Sequence, residues 1–122
     1  MIKLLIVEDE SAMRQLLAQV LTEEGRYEIV EADCGARGLE IIKTQAPRIV
    51  ILDIKMPDMS GMDVLKKIRQ LDETIRVIII TILTDMSFEV GAERLGAYDF
   101  FRKPFDIQAF KNAVAEAADS LS

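Results

Sequence analysis

Three acidic residues, Glu8, Asp9 and Asp53, a hydroxyl, Thr81, and an amine, Lys103, each stand at or just beyond the end of a short apolar or aromatic run. If those runs are strands of one sheet, the five groups converge on one rim. Carboxylates brought that close repel: two unit charges about 4 Å apart cost roughly 4 kcal/mol at an effective dielectric of about 20. Either one carboxyl takes up a proton or a cation settles among them. Lys103 alone cannot neutralise three carboxylates. An all-oxygen set with open positions suits magnesium, which keeps several waters and commonly sits beside phosphate. A chain with no histidine and one cysteine, Cys34, offers neither a zinc-type cluster nor an internal disulfide. Taken singly, each residue has a plainer explanation. Glu8-Asp9 could be a solvated loop, Asp53 a turn or capping aspartate, Thr81 a β-former and Lys103 a surface charge. Their joint placement is what those explanations leave out.

The elements that must position these groups alternate along the chain. Short strand-like runs occur at Leu4–Val7, Glu28–Val30, Ile49–Leu52, Val77–Ile80 and Asp99–Phe101. Three of them are almost wholly apolar, as expected of parallel strands covered on both faces. The first helical pattern carries Met13, Leu16, Leu17, Val20 and Leu21 on one face, with Ser11 as the expected N-cap and Gly25 as a left-handed stop. A second pattern, with Leu39 and Ile42, stops before Pro47. A third uses Gly61, Val64, Leu65 and Ile68, and the last uses Ile107, Phe110, Val114, Ala118 and Leu121. The fourth, around Ser87 to Leu95, offers an inner face of Phe88, Ala92 and Leu95. It also contains Gly91, at a cost of about 1 kcal/mol relative to alanine. It is expected to be weakly anchored, and so a candidate for the part that moves.

Five β-α units in succession predict an α/β fold with a doubly wound parallel sheet in one domain spanning residues 1–122. Right-handed crossovers make the flavodoxin-like strand order 2-1-3-4-5 the leading arrangement, with ligands beyond the carboxyl ends of the strands.

Composition narrows the function classes further. The 122 residues are 50% hydrophobic, enough for one core without a disulfide or structural metal. A net charge of -6 argues against direct nucleic-acid binding, which needs a basic patch. The apolar stretch Met1–Val7 is too short for a signal peptide, and Val77–Leu83 is interrupted by Thr81, so no membrane span is expected. A soluble cytoplasmic protein is the expectation.

Four stretches carry a resemblance. They are Leu5-Ile6-Val7-Glu8-Asp9-Glu10, Leu52-Asp53-Ile54-Lys55-Met56-Pro57-Asp58-Met59-Ser60-Gly61, Ile80-Thr81, and Gly96-Ala97 through Lys103-Pro104-Phe105. In this order the chain resembles the receiver domains of two-component response regulators, typified by CheY, from Lys3 to about Ala118. The resemblance implies that Asp53 accepts a phosphoryl group from a phosphohistidine on a sensor histidine kinase or histidine phosphotransfer protein. It implies Mg2+ held by Asp9, Asp53 and the main-chain carbonyl of Lys55, with Glu8 reaching it directly or through water. Thr81 and Lys103 would contact the phosphoryl oxygens, and Phe100 would turn inward as Thr81 shifts. The Lys103-Pro104 bond is typically cis in this family. The fourth helix, fifth strand and last helix would carry the signal to an output partner whose identity the sequence does not give.

The chain also departs from the family pattern. Ile82 stands where a small residue is usual and is expected to narrow access to Asp53. Lys55 and Leu83 occupy positions that tune hydrolysis of the aspartyl phosphate, for which a long-lived phosphoryl state is the expectation. The last helix has Lys111 as its one basic residue and lacks the arginine-rich face of many DNA-binding members. No effector domain follows before Ser122, which makes a free-standing receiver the simpler expectation and a piece of a larger regulator the alternative.

Competing readings fare less well. A dehalogenase-type phosphatase would carry a second carboxylate where Lys55 stands. A flavin-binding protein would need a hydroxyl- and glycine-rich loop in place of Glu8-Asp9-Glu10. A degenerate receiver, acting as a phosphorylation-independent interaction module, remains the alternative, with Ile82 its main support.

Overall fold

The computed structural model describes residues 1–121. Five parallel strands, β1 (Ile2–Val7), β2 (Tyr27–Ala32), β3 (Ile49–Asp53), β4 (Arg76–Thr81) and β5 (Asp99–Arg102), form one sheet in the order β2-β1-β3-β4-β5. Between and after them run α1 (Ser11–Thr22), α2 (Gly35–Gln45), α3 (Gly61–Leu71), α4 (Met86–Arg94) and α5 (Ile107–Asp119). This is the flavodoxin-like α/β arrangement expected from the sequence, and β2 runs three residues longer than its apolar centre suggests, since Tyr27, Glu31 and Ala32 pair with Ile2, Ile6 and Val7.

Side-chain alternation along the strands splits the interior into two cores. Leu5, Val7, Val50, Leu52, Val77 and Ile79 face α2, α3 and α4, against Leu39, Ile42, Val64, Leu65, Ile68 and Ala92. Leu4, Ile6, Ile49, Ile51, Ile78 and Ile80 face α1 and α5, against Leu17, Leu21, Phe110, Val114 and Ala117. From Leu4 in β1, Ile49 in β3 and Val77 in β4 onward the central strands are therefore apolar up to the carboxyl rim, and each such side chain contributes roughly 1.5–3 kcal/mol when fully buried. Only where the cores end can polar groups appear without loss.

The helices are fixed at their starts by oxygens drawn from different places. The Ser60 hydroxyl accepts from the Met62 amide at 3.1 Å, Asp85 from the Ser87 amide at 2.9 Å, and Asp106 from the Gln108 and Ala109 amides at 2.8 and 3.1 Å. Ser11 does not cap α1, contrary to expectation. It is the first helical residue, one place too late for its hydroxyl to reach the free amides as a cap does, and Glu10 occupies the cap position with an extended backbone and no side-chain bond. Gly25 does take the left-handed conformation expected of it, with φ +70°. The start of α2 is capped from another loop: Asp58 accepts from the Gly35 and Ala36 amides at 3.0 and 2.9 Å. Those two bonds, Ala36 first, hold the Asp58 carboxyl below its ordinary range.

Candidate functional site

The rim assembles from strand ends. Asp53 is the last residue of β3, Thr81 the last of β4, Glu8 follows β1 and Lys103 follows β5. Register sets their neighbourhood, with Val7 beside Leu52, Asp53 beside Ile80, and Thr81 beside Arg102. Gly61 closes the β3–α3 loop onto this corner. Its amide donates to the Ile54 carbonyl at 2.7 Å, and an added Cβ would lie 2.2 Å from the Asp53 carbonyl oxygen, so no larger residue lets α3 start there. Beyond β5, Phe101 and Phe105 flank Lys103 and pack against Phe110 of α5, with ring centres 5.3–5.8 Å apart. That aromatic triad fixes the loop whose lysine returns toward the sheet, across a cis Lys103-Pro104 peptide.

Glu8, Asp9, Glu10, Asp53, Lys55, Met56, Pro57, Ile82 and Lys103 line one cavity of about 400 Å3. Lys103 Nζ donates to Glu8 Oε1 at 2.5 Å and to Asp53 Oδ2 at 3.2 Å. The other Asp53 oxygen accepts from the Lys55 amide at 3.2 Å, and Glu8 Oε2 from the Glu10 amide at 3.2 Å. Arg14 Nη1 donates to the Glu8 carbonyl at 2.8 Å. Glu8 and Asp53 are buried while Asp9 is open to solvent. Burial pushes the Glu8 carboxyl up to about 7, the Lys103 hydrogen bond opposes that rise, and the neighbouring Asp53 adds to it. Burial alone would lower the Lys103 ammonium, yet its bond to Glu8 and the charge of Asp53 raise it above its ordinary value.

One oxygen from each of Glu8, Asp9 and Asp53 lies within 4.8 Å of the others. One lysine faces the three carboxyl groups, which leaves the set short of positive charge. Hard, all-oxygen donors at this spacing fit a divalent cation of the magnesium type, so the donor chemistry agrees with the expectation.

The cavity thus brings together Glu8, Asp9, Asp53, Lys55, Ile82 and Lys103 from the sequence-predicted set, with Ile82 exposed on its rim. Three predicted residues stand apart. The Thr81 hydroxyl is fully buried and accepts from the Leu83 amide at 3.0 Å. Leu83 packs against the α2–α3–α4 core. Phe100 lines a second cleft between α4 and β5 with Glu89, Tyr98 and Asp99. Sequence reasoning gave no site role to Glu10, Met56 or Pro57, though all three lie in the stretches that carried the resemblance. The Arg14 bond had no signal at all, since one arginine on an exposed helix face looks like any other.

A doubly wound parallel sheet with a three-carboxylate and lysine cavity beyond its central strands defines an α/β protein with an acidic site at its carboxyl rim, where open sheets of this kind bind their ligands. The comparisons narrow that class. Residues 4–115 match the profile of the response regulator receiver domain. The chain is 40% identical over 112 residues to sporulation initiation phosphotransferase F of Bacillus subtilis, covering 92% of this chain and 90% of the relative. It is 35% identical over 112 residues to the chemotaxis protein CheY of the same organism, covering 92% and 93%. A CheY-like receiver domain structure from Methanospirillum hungatei superposes with a TM-score of 0.93 at 28% identity, covering 98% of this chain and 95% of that one. The chain belongs to the response regulator receiver domain family of two-component signalling. Its role is that of a signalling domain, and among the described residues no helix is long and apolar enough to cross a membrane.

Proposed function

We propose that this receiver, acting as one unit over residues 1–122, accepts a phosphoryl group on Asp53 from a phosphohistidine of a cytoplasmic sensor kinase or histidine phosphotransfer protein. The observation that carries the reading is the convergence of Glu8, Asp9, Asp53 and Lys103 in one cavity. An oxygen of Asp53 attacks phosphorus as the P–N bond to the donor imidazole breaks, and a P–O bond forms. The Lys55 amide and Lys103 ammonium hold the two Asp53 oxygens before attack, so the carboxylate is oriented without a rotamer search. Lys103, tied also to Glu8, supplies positive charge where the phosphoryl oxygens gather it. Glu8, Asp9, Asp53 and the Lys55 carbonyl would hold Mg2+, which would offset the charge on the transferring group.

Once Asp53 is modified, the Thr81 hydroxyl, whose proton is free to donate while its oxygen accepts from Leu83, meets a phosphoryl oxygen. Phe100 then turns inward and α4, β5 and α5 repack for an output partner. This is a population shift between two packings. The likeness to sporulation initiation phosphotransferase F of Bacillus subtilis, by its name a phosphotransferase, supports the same chemistry.

Intact mass measured after incubation with Mg2+ and a small acyl phosphate should show one added phosphoryl group, lost in Asp53→Asn. An Asp53→Asn chain labelled as well as the native would overturn the assignment. Under the same conditions Ile82→Ala should label faster and Leu83→Glu should shorten the lifetime of the phosphoryl group. Unchanged rates would remove the tuning roles of those two side chains and leave the phosphoacceptor intact.

A further inference from the structure

Arg102 is a residue that neither the cavity nor the aromatic triad uses. On β5 it lies two positions from Phe100, so both side chains leave the strand on the α4 side. Its Cζ stands 5.2 Å from the centre of the Phe100 ring. Its Nη1 lies 3.6 Å from Glu89 Oε1 on α4. Its Nη2 is buried and meets no acceptor among the described residues. In the ladder Arg102 is the partner of Thr81. Lys103, the next residue, reaches Glu8 and Asp53 instead.

We propose that Arg102 is a positioning residue for the switch: its guanidinium, set over the Phe100 ring and paired with Glu89, keeps the aromatic ring in the cleft between α4 and β5 and ties α4 to that ring. The proposal rests on the phosphoacceptor reading of Asp53. A planar guanidinium can lie on a ring while offering edge hydrogens to a carboxylate, which an ammonium cannot do. One group therefore grips the two parts that must move. An inward turn of Phe100 removes the stack, and a shift of α4 removes Glu89.

The grip is shallow. Stacking at a half-exposed site and a half-exposed ion pair are each weak, and the unmet Nη2 hydrogen bond counts against the arrangement. Together the two contacts bias the outward ring by roughly three- to tenfold. That is small enough for a phosphoryl group to overcome, because a ligand shifts an equilibrium only by its difference in affinity for the two states. The resting state is held closed without being locked.

The test is fluorine NMR of the chain carrying 4-fluorophenylalanine at its five phenylalanines, with the Phe100 resonance identified through Phe100→Leu. Spectra are recorded with and without Mg2+ and a small acyl phosphate, and modification is followed by intact mass. In Arg102→Ala the unmodified resonance should lie displaced toward its phosphorylated position, by an amount equivalent to a roughly three- to tenfold rise in inward population. Arg102→Lys keeps the charge opposite Glu89 and loses the planar guanidinium over the ring, whereas Glu89→Gln keeps the guanidinium–ring contact and loses the ion pair. Each should fall between native and Arg102→Ala. If the native resonance moves on phosphorylation but Arg102→Ala and Glu89→Gln give native positions in both states, the latch is wrong and the switch stands. If mass shows the phosphoryl group on Asp53 and the native Phe100 resonance stays fixed, latch and aromatic switch fall together. If no phosphoryl group is taken up, the phosphoacceptor reading falls and takes the latch with it.

Discussion

The two halves of the sheet are built to different standards. Every residue of β3 is buried, and the strand is flanked by β1 and β4, which are themselves closed over by helices on both faces. At the other side β5 has one exposed and three half-buried residues, and α4 buries Ala92 alone in full, with Phe88 and Leu95 partly covered. Glu8 and Asp53 thus hang from the rigid half, whereas Thr81 stands at the border and Phe100 on the loose side. The contrast separates two tasks. Phosphoryl transfer needs oxygens held to within a fraction of an ångström, and signalling needs a neighbour that can yield.

The comparison breaks first under core truncation. Ile51→Ala, on the fully buried β3, should lose about 2–5 kcal/mol in urea denaturation, the usual cost of an aliphatic cavity. Val90→Ala, on the outer face of α4, should stay within about 0.5 kcal/mol. Comparable losses at both positions would erase the distinction between the halves.

A smaller effect sharpens it from the β3–α3 loop, which caps the start of α2. Asp58→Ala should cost about 1 kcal/mol, as the loss of a helix cap does. Because the folded-state carboxyl is held below its ordinary value of 3.8, its contribution is present above that value and is lost as the pH falls through the folded-state one. Urea midpoints followed downward from about pH 5 should therefore drop less steeply in Asp58→Ala than in the native chain. Parallel curves would show that the Asp58 bonds do not stabilise α2.

Much of this was legible from residue patterns, for a physical reason. Burial leaves a pattern: the unbroken apolar runs Leu4 to Val7 and Ile49 to Leu52 mark strands covered on both faces, the 3.6-residue spacing of Val64, Leu65 and Ile68 marks a helix face, and right-handed crossovers between successive β-α units give the strand order, which places Glu8, Asp53, Thr81 and Lys103 on one rim. The thin inner face of α4 was readable in the same way. Bonds from a side chain to a distant backbone have no period. Asp58 capping α2 across 22 and 23 residues, Arg14 on the Glu8 carbonyl, and the failure of Ser11 to cap α1 depend on where loops meet after folding. Nor could the sequence say that the Thr81 hydroxyl rests on the Leu83 amide, because a threonine ending a strand is compatible with either direction.

Arg69 of α3 adds a mechanical consequence. Its Nε and Nη2 donate to the carbonyls of Leu95 and Gly96, at 2.8 and 3.1 Å, and its Nη1 to that of Ile75 at 2.8 Å. The far end of α4 is thereby riveted to α3 and to the start of β4, while the near end adjoins the loop that leaves Thr81. A disturbance born at Thr81 would then enter a lever whose fulcrum lies at Leu95. Nine residues make an arm of about 13 Å, so displacement should be greatest at Met86 and fade toward Arg94. Probe distances from Met86 and Arg94 to the sheet, taken before and after modification, would distinguish such a swing from a uniform slide. A partner gripping the Met86 end would feel the signal at full amplitude, and one gripping the Arg94 end would feel almost none.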